Sequence, residues 1–350
     1  MIEISRHLLN EDDTVASALK LLNSLGKELT LFILDSSEKL VGVVTDGDIR
    51  RALVKGVQLS DPVKLVMFTE FKYLQWDKYS LSNLRKYREE NVKILPIVDV
   101  NFKIIRLIKF DVIYSVLPID VIIMAGGVGE RLRPLTLETP KPMLLIGCKP
   151  ILEHNIDRLR MFGINNIFIS VRYLSHKIET YFGDGKDKGL RINYIREEKP
   201  LGTIGSVKLV QNYQNDVILI INSDVLTNID YEDMYKTFIE SRADLAVASI
   251  GYSVNIPYAI IDIDTNNEVR SLREKPTYTY YANAGIYMIN RKYFELIPEN
   301  EHFNATDLID SMIRNKAKVV SYKLIGYWLD IGRHEDFQKA QEDIKHLKFW

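Results

Sequence analysis

Cysteine is almost missing from this chain of 350 residues, with Cys148 its single representative. One thiol excludes an internal disulfide and cannot by itself make a cysteine zinc cluster, and so low a cysteine content suits a reducing, cytoplasmic setting. Long apolar runs are missing too. No eighteen apolar residues stand together, and the opening Met1-Ile2-Glu3-Ile4-Ser5-Arg6 has no basic segment leading into an apolar core. The expectation is a protein that is neither secreted nor membrane-spanning. Nor does one sign of charge dominate: 46 Lys and Arg face 47 Asp and Glu, a formal charge of −1, with no long run of either sign. Nucleic acid and acidic membrane surfaces are therefore not expected as partners. The six histidines, His7, His154, His176, His302, His334 and His346, are scattered without an i, i+4 pair. Each is expected to be structural or exposed rather than a metal ligand.

What the chain does have, near its middle, is a short buried strand running into a glycine turn, VIIMAGGVGERLRPLTLETPKPM over residues 121–143. Val121-Ile122-Ile123-Met124 is a β-rich apolar run of the kind found inside a parallel sheet. Ala125, Gly126, Gly127 and Gly129 then let the backbone approach a ligand and turn its N–H groups toward an anion, while Arg131, Arg133 and Lys141 add positive charge. Both commoner phosphate motifs fail here. Leu132 stands where a dinucleotide fingerprint needs its third glycine, and no lysine occupies the P-loop position. The pattern G-G-x-G-x-R-L-x-P-L-T-x-x-x-P-K-P, complete over residues 126–142, instead resembles the sugar-1-phosphate nucleotidylyltransferases, or NDP-sugar pyrophosphorylases.

Length allows two or three compact units. The first 118 residues contain a repeat: TLFILDSSEKLVGVVTDGDI at 30–49 and ILPIVDVNFKIIRLIKFDVI at 94–113 place Asp35 and Asp99, Lys39 and Lys103, and Ile49 and Ile113 each 64 positions apart. Each copy reads as a strand, a turn at Asp-x-x-x-Lys, a second strand and the start of a helix. Residues 14–25 precede the first with Val15, Ala18, Leu21 and Leu22 on one helical face, and residues 81–87 are a poorer counterpart. These two β-β-α units, expected at 1–58 and 59–117, resemble a pair of CBS (cystathionine-β-synthase-like) domains. The resemblance implies an adenine-nucleotide site (AMP or ATP) at Thr45 and Asp48, with Lys109 spoiling the second copy; the alternative is that Thr45 caps a helix and the pair is structural or dimerising. A homo-oligomer is expected. Leu117-Pro118 reads as the joint, since proline restricts the residue before it.

The remainder, 118–350, alternates strands with helices: helix 151–161, strand 166–171, helix 175–182, strand 191–195 and strand 217–224. That order calls for a doubly wound sheet with ligands at the carboxyl ends of parallel strands. The resemblance implies the corresponding Rossmann-like doubly wound mixed sheet and a catalytic domain. Glu197-Glu-Lys-Pro-Leu-Gly202-Thr203-Ile-Gly205 is similar to the E-x-x-P-L-G-T-A-G segment of GDP-sugar-forming members, which puts Glu197 on the base-reading position and Gly202 against the ring. Chemistry supports this. Guanine shows two donors, N1–H and the N2 amine, on one edge, and a single carboxylate accepts both. UTP, CTP and dTTP remain the alternatives, as does a non-catalytic adenine-nucleotide sensor on a transferase scaffold.

Asp224 closes an apolar strand, where a carboxylate needs a reason to be. The resemblance assigns Mg²⁺ to Asp224 and to Asp330 of the segment Trp328-Leu-Asp330-Ile-Gly332, a pair of hard oxygen donors suited to that ion. Glu274-Lys275-Pro276 and Asn283-Ala-Gly285-Ile-Tyr287 match its sugar side, with Lys275 meeting the sugar phosphate. The implied reaction transfers a nucleotidyl group, guanylyl from GTP by preference, to a sugar 1-phosphate such as that of glucosamine or mannose, forming an NDP-sugar for surface glycans. Residues 334–347 read as a helical tail, with Phe337, Ala340, Ile344 and Leu347 at helical spacing and Phe349-Trp350 at its end.

Overall fold

A computed structural model describes residues 4–26, 29–78 and 80–347, and the chain divides into two compact units, Met1–Val116 and Leu117–Trp350. Among the described residues no helix is long and apolar enough to cross a membrane.

In the first unit, β1 (Leu8–Asn10) pairs parallel with β2 (Thr30–Leu34), which pairs antiparallel with β3 (Leu40–Thr45). Between β1 and β2 lies α1 (Val15–Leu25), opened by Thr14, whose side chain accepts a hydrogen bond from Ser17 N. Val15, Ala18, Leu22 and Leu25 make its buried face, while Leu21 lies at the edge of that face, half-buried. The helix α2 (Asp46–Val54) follows β3 directly. The second copy repeats the sheet with β4 (Leu74–Gln75), α3 (Leu81–Glu89), β5 (Ile94–Val98) and β6 (Ile104–Lys109), and Leu84 is the one buried residue of α3. The recurring aspartate has a local cause. Asp35 Oδ1 accepts from Ser37 N at 2.8 Å and Lys39 N at 2.9 Å, and Asp99 Oδ1 accepts from Asn101 N and Lys103 N at the same distances. Each carboxylate therefore builds the turn between its two strands. One expectation fails: after β6 there is no counterpart of α2, only a turn closed by Ile113 N donating to Lys109 O at 2.8 Å. Lys109 lacks the capping oxygen that Thr45 supplies, and Pro118 is a few residues on.

The second unit is a seven-stranded mixed sheet. Its strands are β7 (Asp120–Ala125), β10 (Asn166–Val171), β11 (Arg191–Arg196), β12 (Val217–Asn222), β14 (Leu245–Asn255), β17 (Thr277–Asn290) and β18 (Val319–Lys323), in the spatial order β11-β10-β7-β12-β17-β14-β18. Short strands β8 (Leu145–Ile146) and β9 (Lys149–Pro150) form a small ribbon after the glycine turn, β13 (Val225–Thr227) pairs with β19 (Trp328–Asp330), and β15 (Ile260–Ile263) pairs with β16 (Val269–Arg273). The helices are α4 (Ile151–Met161), α5 (Ser175–Phe182), α6 (Tyr231–Glu240), α7 (Ala305–Arg314) and α8 (His334–Asp343). From β7 to β12 the strands are parallel, as the alternation with helices requires, and the doubly wound mixed class is borne out. Antiparallel β17 has a plain origin, since the chain reaches it from β14 through the β15–β16 ribbon rather than through a crossover helix.

The core lies on the sheet faces, where Ile122, Ile218, Ile220 and Ile289 pack with Leu308 and Met312 of α7. A second cluster joins Leu132 of the glycine loop, Leu329 and Ile331 beside Asp330, and Phe337, Ala340, Ile344 and Leu347 of the tail. The tail thus folds over its own unit and braces two of the segments singled out in the sequence. Phe349 and Trp350 lie outside the described residues.

Candidate active site

The carboxyl ends of β7, β10, β11 and β12 surround a cavity of about 350 Å³, lined by Gly126, Gly127, Lys141, Arg172, Glu197, Gly202, Thr203, Asn222, Asp224, His302 and Asn304 among others. Parallel strands aim their terminal loops the same way, so residues far apart in the chain meet there.

Part of this lining is charged. Asp224 follows β12 in a turn, and its carboxylate accepts from the ammonium of Lys141, a side chain only 11% exposed. The β13–β19 ladder sets Val225 opposite Asp330, and Ile331 N donates to Asp224 O at 3.0 Å, so the two aspartates come from adjoining positions. Burial raises the pKa of the Asp330 carboxyl and the neighbouring Asp224 charge raises it further, while Lys141 and Arg131 pull it back. Arg131 lies against Gly332, where a Cβ would stand 3.2 Å from the guanidinium. Two mutually repelling carboxylates, one of them lining the cavity, are a donor set that fits a divalent cation of the magnesium type. Among the described residues no group of three or more His, Cys, Asp and Glu side chains converges, so substrate oxygens and water would have to complete that shell.

Glu197, also lining the cavity, is buried, with Oε1 accepting from Ser170 Oγ at 2.5 Å and Oε2 from Leu201 N at 3.3 Å. These bonds fix the carboxylate under the glycine turn: a Cβ on Gly126 would meet Glu197 Oε1 at 3.0 Å. Ala125 ends β7, and Gly129, in the left-handed region at φ 71°, accepts from Thr136 Oγ1 at 2.8 Å. Gly202 is confined as well, since a Cβ there would come within 2.5 Å of Phe303 O. Thr203 serves structure first: its hydroxyl accepts from Ala305 N at 2.8 Å at the start of α7, and its N–H donates to Asn304 Oδ1.

The sugar-side residues divide. Gly285, at φ 72°, sits on Asn222, whose Nδ2 would be 2.6 Å from a Cβ, and Asn283 Oδ1 accepts from Gly285 N at 2.9 Å, closing a local turn. Glu274 and Lys275 stand apart. They are exposed at the outer end of the β14–β17 arm, and among the described residues no contact joins them to Lys141, Asp224 or Asp330. The arm explains this, because Thr277 to Gly285 at about 3.3 Å per residue carries them roughly 25 Å along an extended strand.

Thr45 and Asp48, in the first unit, bond one another. Thr45 N and Oγ1 donate to Asp48 Oδ2 at 2.9 and 2.6 Å, Asp48 N donates back to Thr45 Oγ1, and Arg51 holds Asp48 Oδ1 at 2.6 Å. That is a capping box on α2. Sequence reasoning passed over Arg172, Asn222, His302 and Asn304. Arg172 and Asn222 stand at or directly after strand ends, the positions where ligands gather in such sheets, so that rule alone could have found them. His302, expected to be structural or exposed, is exposed, at the cavity's lining.

Residues 120–346 match the model of the nucleotidyl transferase family, and residues 7–55 match the CBS domain. The chain belongs to the nucleotidyl transferase family. Its resemblance to a sugar-1-phosphate nucleotidylyltransferase with an N-terminal CBS domain is thereby borne out. This nucleotidyl transferase is similar to a mannose-1-phosphate guanylyltransferase of Mycobacterium tuberculosis, 31% identical over 231 residues that span 65% of this chain and 64% of the relative. It is similar also to a D-glycero-alpha-D-manno-heptose 1-phosphate guanylyltransferase of Aneurinibacillus thermoaerophilus, 33% identical over 230 residues, 65% of this chain and 99% of the relative. Among solved structures it resembles HddC from Yersinia pseudotuberculosis complexed with GMP-PN, at 27% identity and a TM-score of 0.50, covering 64% of this chain and 99% of that one.

Proposed function

We propose that this nucleotidyl transferase joins the guanylyl group of GTP to a sugar 1-phosphate and releases pyrophosphate, making a GDP-sugar of the kind used in surface glycans. The observation that carries the proposal is one cavity lined by the buried Glu197 carboxylate beneath the glycine turn and by the Lys141–Asp224 pair. That arrangement suits a nucleotide with its base on Glu197 and its phosphates toward Lys141 and Asp224. Two guanylyltransferases among the relatives, and the binding of GMP-PN by HddC, favour guanine over the other bases.

In the reaction an ionised oxygen of the sugar phosphate attacks the α-phosphorus of GTP. A new P–O bond forms there, the bond to the bridging oxygen of the β-phosphate breaks, and pyrophosphate leaves. The nucleophile is already an anion, so no covalent enzyme intermediate and no general base are required. The protein's task is to align two polyanions and to neutralise the charge that develops. The backbone N–H groups of Gly126, Gly127 and Gly129 and the Arg131 guanidinium would receive the β- and γ-phosphates, and Lys141 the α-phosphate region. Asp224 and Asp330 would hold Mg²⁺, which when bound supplies neutralising charge to the phosphate oxygens. Glu274 and Lys275, expected on the sugar side, are exposed on the arm and would meet the sugar 1-phosphate only where it reaches them. The CBS unit enters as a structural or dimerising module, since Thr45 and Asp48 bond each other.

The test is pyrophosphate release with Mg²⁺ over a grid of GTP, ATP, UTP, CTP and dTTP against mannose, glucosamine, glucose and heptose 1-phosphates. Turnover confined to GTP is expected, and turnover with a pyrimidine nucleotide in its place would overturn the base assignment.

A further inference from the structure

Arg172 is one of the cavity residues that the scheme above leaves without work. It follows β10 directly, as Glu197 follows β11, and the two strands are in parallel register with Val171 opposite Arg196. Glu197 N donates to Val171 O at 3.0 Å, so Arg172 and Glu197 are the next facing pair beyond the ladder. Residues on one face of a strand recur every second position, which places Arg172 on the side of Ser170, whose hydroxyl holds Glu197. Both side chains line the cavity. Yet Arg172 Nε is buried with no hydrogen-bond partner among the described residues. A buried donor left unmatched costs free energy and needs an explanation, and a ligand acceptor in the cavity supplies one.

We infer that Arg172 reads the second edge of the guanine ring, donating to O6 and N7 while Glu197 accepts from N1–H and the N2 amine. The inference rests on the guanine assignment made above. A planar guanidinium presents two parallel donors, and O6 and N7 are the two acceptors that guanine sets side by side. Neighbouring strands lie about 4.8 Å apart, a spacing comparable with that between adjoining edges of one purine. Glu197 by itself accepts from any ring with adjacent donors. With Arg172 the site also demands two adjacent acceptors, which adenine breaks with its N6 amine and which no pyrimidine offers together with two adjacent donors.

Equilibrium binding to the full chain with Mg²⁺ present tests this without knowledge of the sugar. The probes are GTP, ITP (no N2 amine), 7-deaza-GTP (no N7), 6-thio-GTP (sulfur, a weak acceptor, in place of O6, with N1–H and the N2 amine kept) and UTP. The wild-type protein is expected to bind 7-deaza-GTP and 6-thio-GTP about 10- to 100-fold more weakly than GTP. Arg172→Gln is expected to weaken GTP by about the same factor and to distinguish those two analogues from GTP by less than about 3-fold, while its penalty for ITP stays that of the wild type. Arg172→Lys keeps the charge but not the fork and should recover only part of the loss. A uniform loss across all purine nucleotides in Arg172→Gln, with the wild-type pattern intact, would make Arg172 a phosphate or framework residue and overturn the inference. Should the glutamine variant fail to fold, the wild-type series decides, because indifference to N7 and O6 overturns the inference alone. Tighter binding of UTP than GTP would instead bring down the guanine assignment on which it stands.

Discussion

Two places in this chain carry polar residues just past the end of a strand, Thr45 with Asp48 after β3, and Lys141, Glu197 and Asp224 around the ends of β7, β11 and β12. They differ in where their hydrogen bonds go. At Thr45 and Asp48 every bond closes within six residues, through the mutual capping pair and Arg51. In the cavity, Glu197 is held by Ser170, 27 residues away, and Asp224 by Lys141, 83 residues away. Local closure is what a helix start requires of its first turn. Convergence from distant strands is what a site requires, though distance by itself does not suffice. Asp120 is fully buried and bonded to Asn166, Gln214 and Asn215, the last 95 residues on, and it is not among the residues lining the cavity of Glu197 and Asp224. Its role is to tie the start of β7 to its surroundings. The mark of the site is charge that converges from afar and still faces open space.

The largest expected effect follows from that distinction. Asp224→Ala should lower turnover by about 10³-fold or more, about 4 kcal/mol of transition-state stabilisation, because it removes a proposed metal ligand and frees Lys141 from its partner. Near-ultraviolet circular dichroism should show the fold retained. Turnover at the wild-type level would remove Asp224 from the machinery and with it the contrast between the two places.

Glu153 sharpens the comparison from the other side. It is a buried acid of α4 whose carboxylate accepts from Tyr181 and pairs with Lys188, 35 residues away, outside the cavity. Burial alone would raise its pKa, but the bonds from Lys188 and Tyr181 outweigh burial and hold it below the ordinary glutamate value. The same bond pushes the Tyr181 hydroxyl up to about 12. A depressed carboxylate stabilises the folded state above its unfolded pKa, about 4.3, and this contribution fades as pH falls through that value toward the folded one. Glu153→Gln should therefore cost about 2 kcal/mol at pH 7, with the deficit shrinking below about pH 4, and should leave kcat unchanged. Urea unfolding at pH 7 and pH 3.5 measures it. A deficit independent of pH would show that Glu153 acts through packing rather than through its charge.

Much of this was legible before any coordinates. Helix α4 and strand β10 fall where the spacing of Ile151, Ile156 and Leu159 and the run Asn166-Ile-Phe-Ile-Ser-Val171 put them, because burial enforces those periods locally. The cavity end of the glycine motif was legible for a different reason: backbone approach and charge are written in residue type. Three things were not. That β17 runs antiparallel depends on a ribbon, not on any residue of β17 itself. The exposed position of Glu274 and Lys275 depends on the length of the same arm, which a motif match does not measure. Arg172 carried no motif at all, and only its partnerless Nε beside the cavity singles it out. In each case the deciding quantity is a relation between distant segments.

The smallest effect expected is at Thr45, where one side chain can be read both ways. As a ribose-binding hydroxyl, Thr45 would have to offer its oxygen to a ligand, and Asp48 likewise. In the fold, Thr45 Oγ1 donates to Asp48 and accepts from Asp48 N, while both carboxylate oxygens of Asp48 are engaged by Thr45 and Arg51. A nucleotide would need to open that box before gaining anything from it. Thr45→Ala should then lower the stability of the N-terminal unit by about 1 kcal/mol, the ordinary value of a lost cap, with nucleotidyl transfer unchanged. AMP or ATP should leave the unfolding midpoint of the wild-type unit where it is, since a ligand bound only to the folded state at 100 times its Kd would add about 2.7 kcal/mol. A stabilisation of that size by AMP or ATP, abolished in Thr45→Ala, would show that local closure and ligand binding coexist in one capping box, and the comparison between the two places would lose its rule.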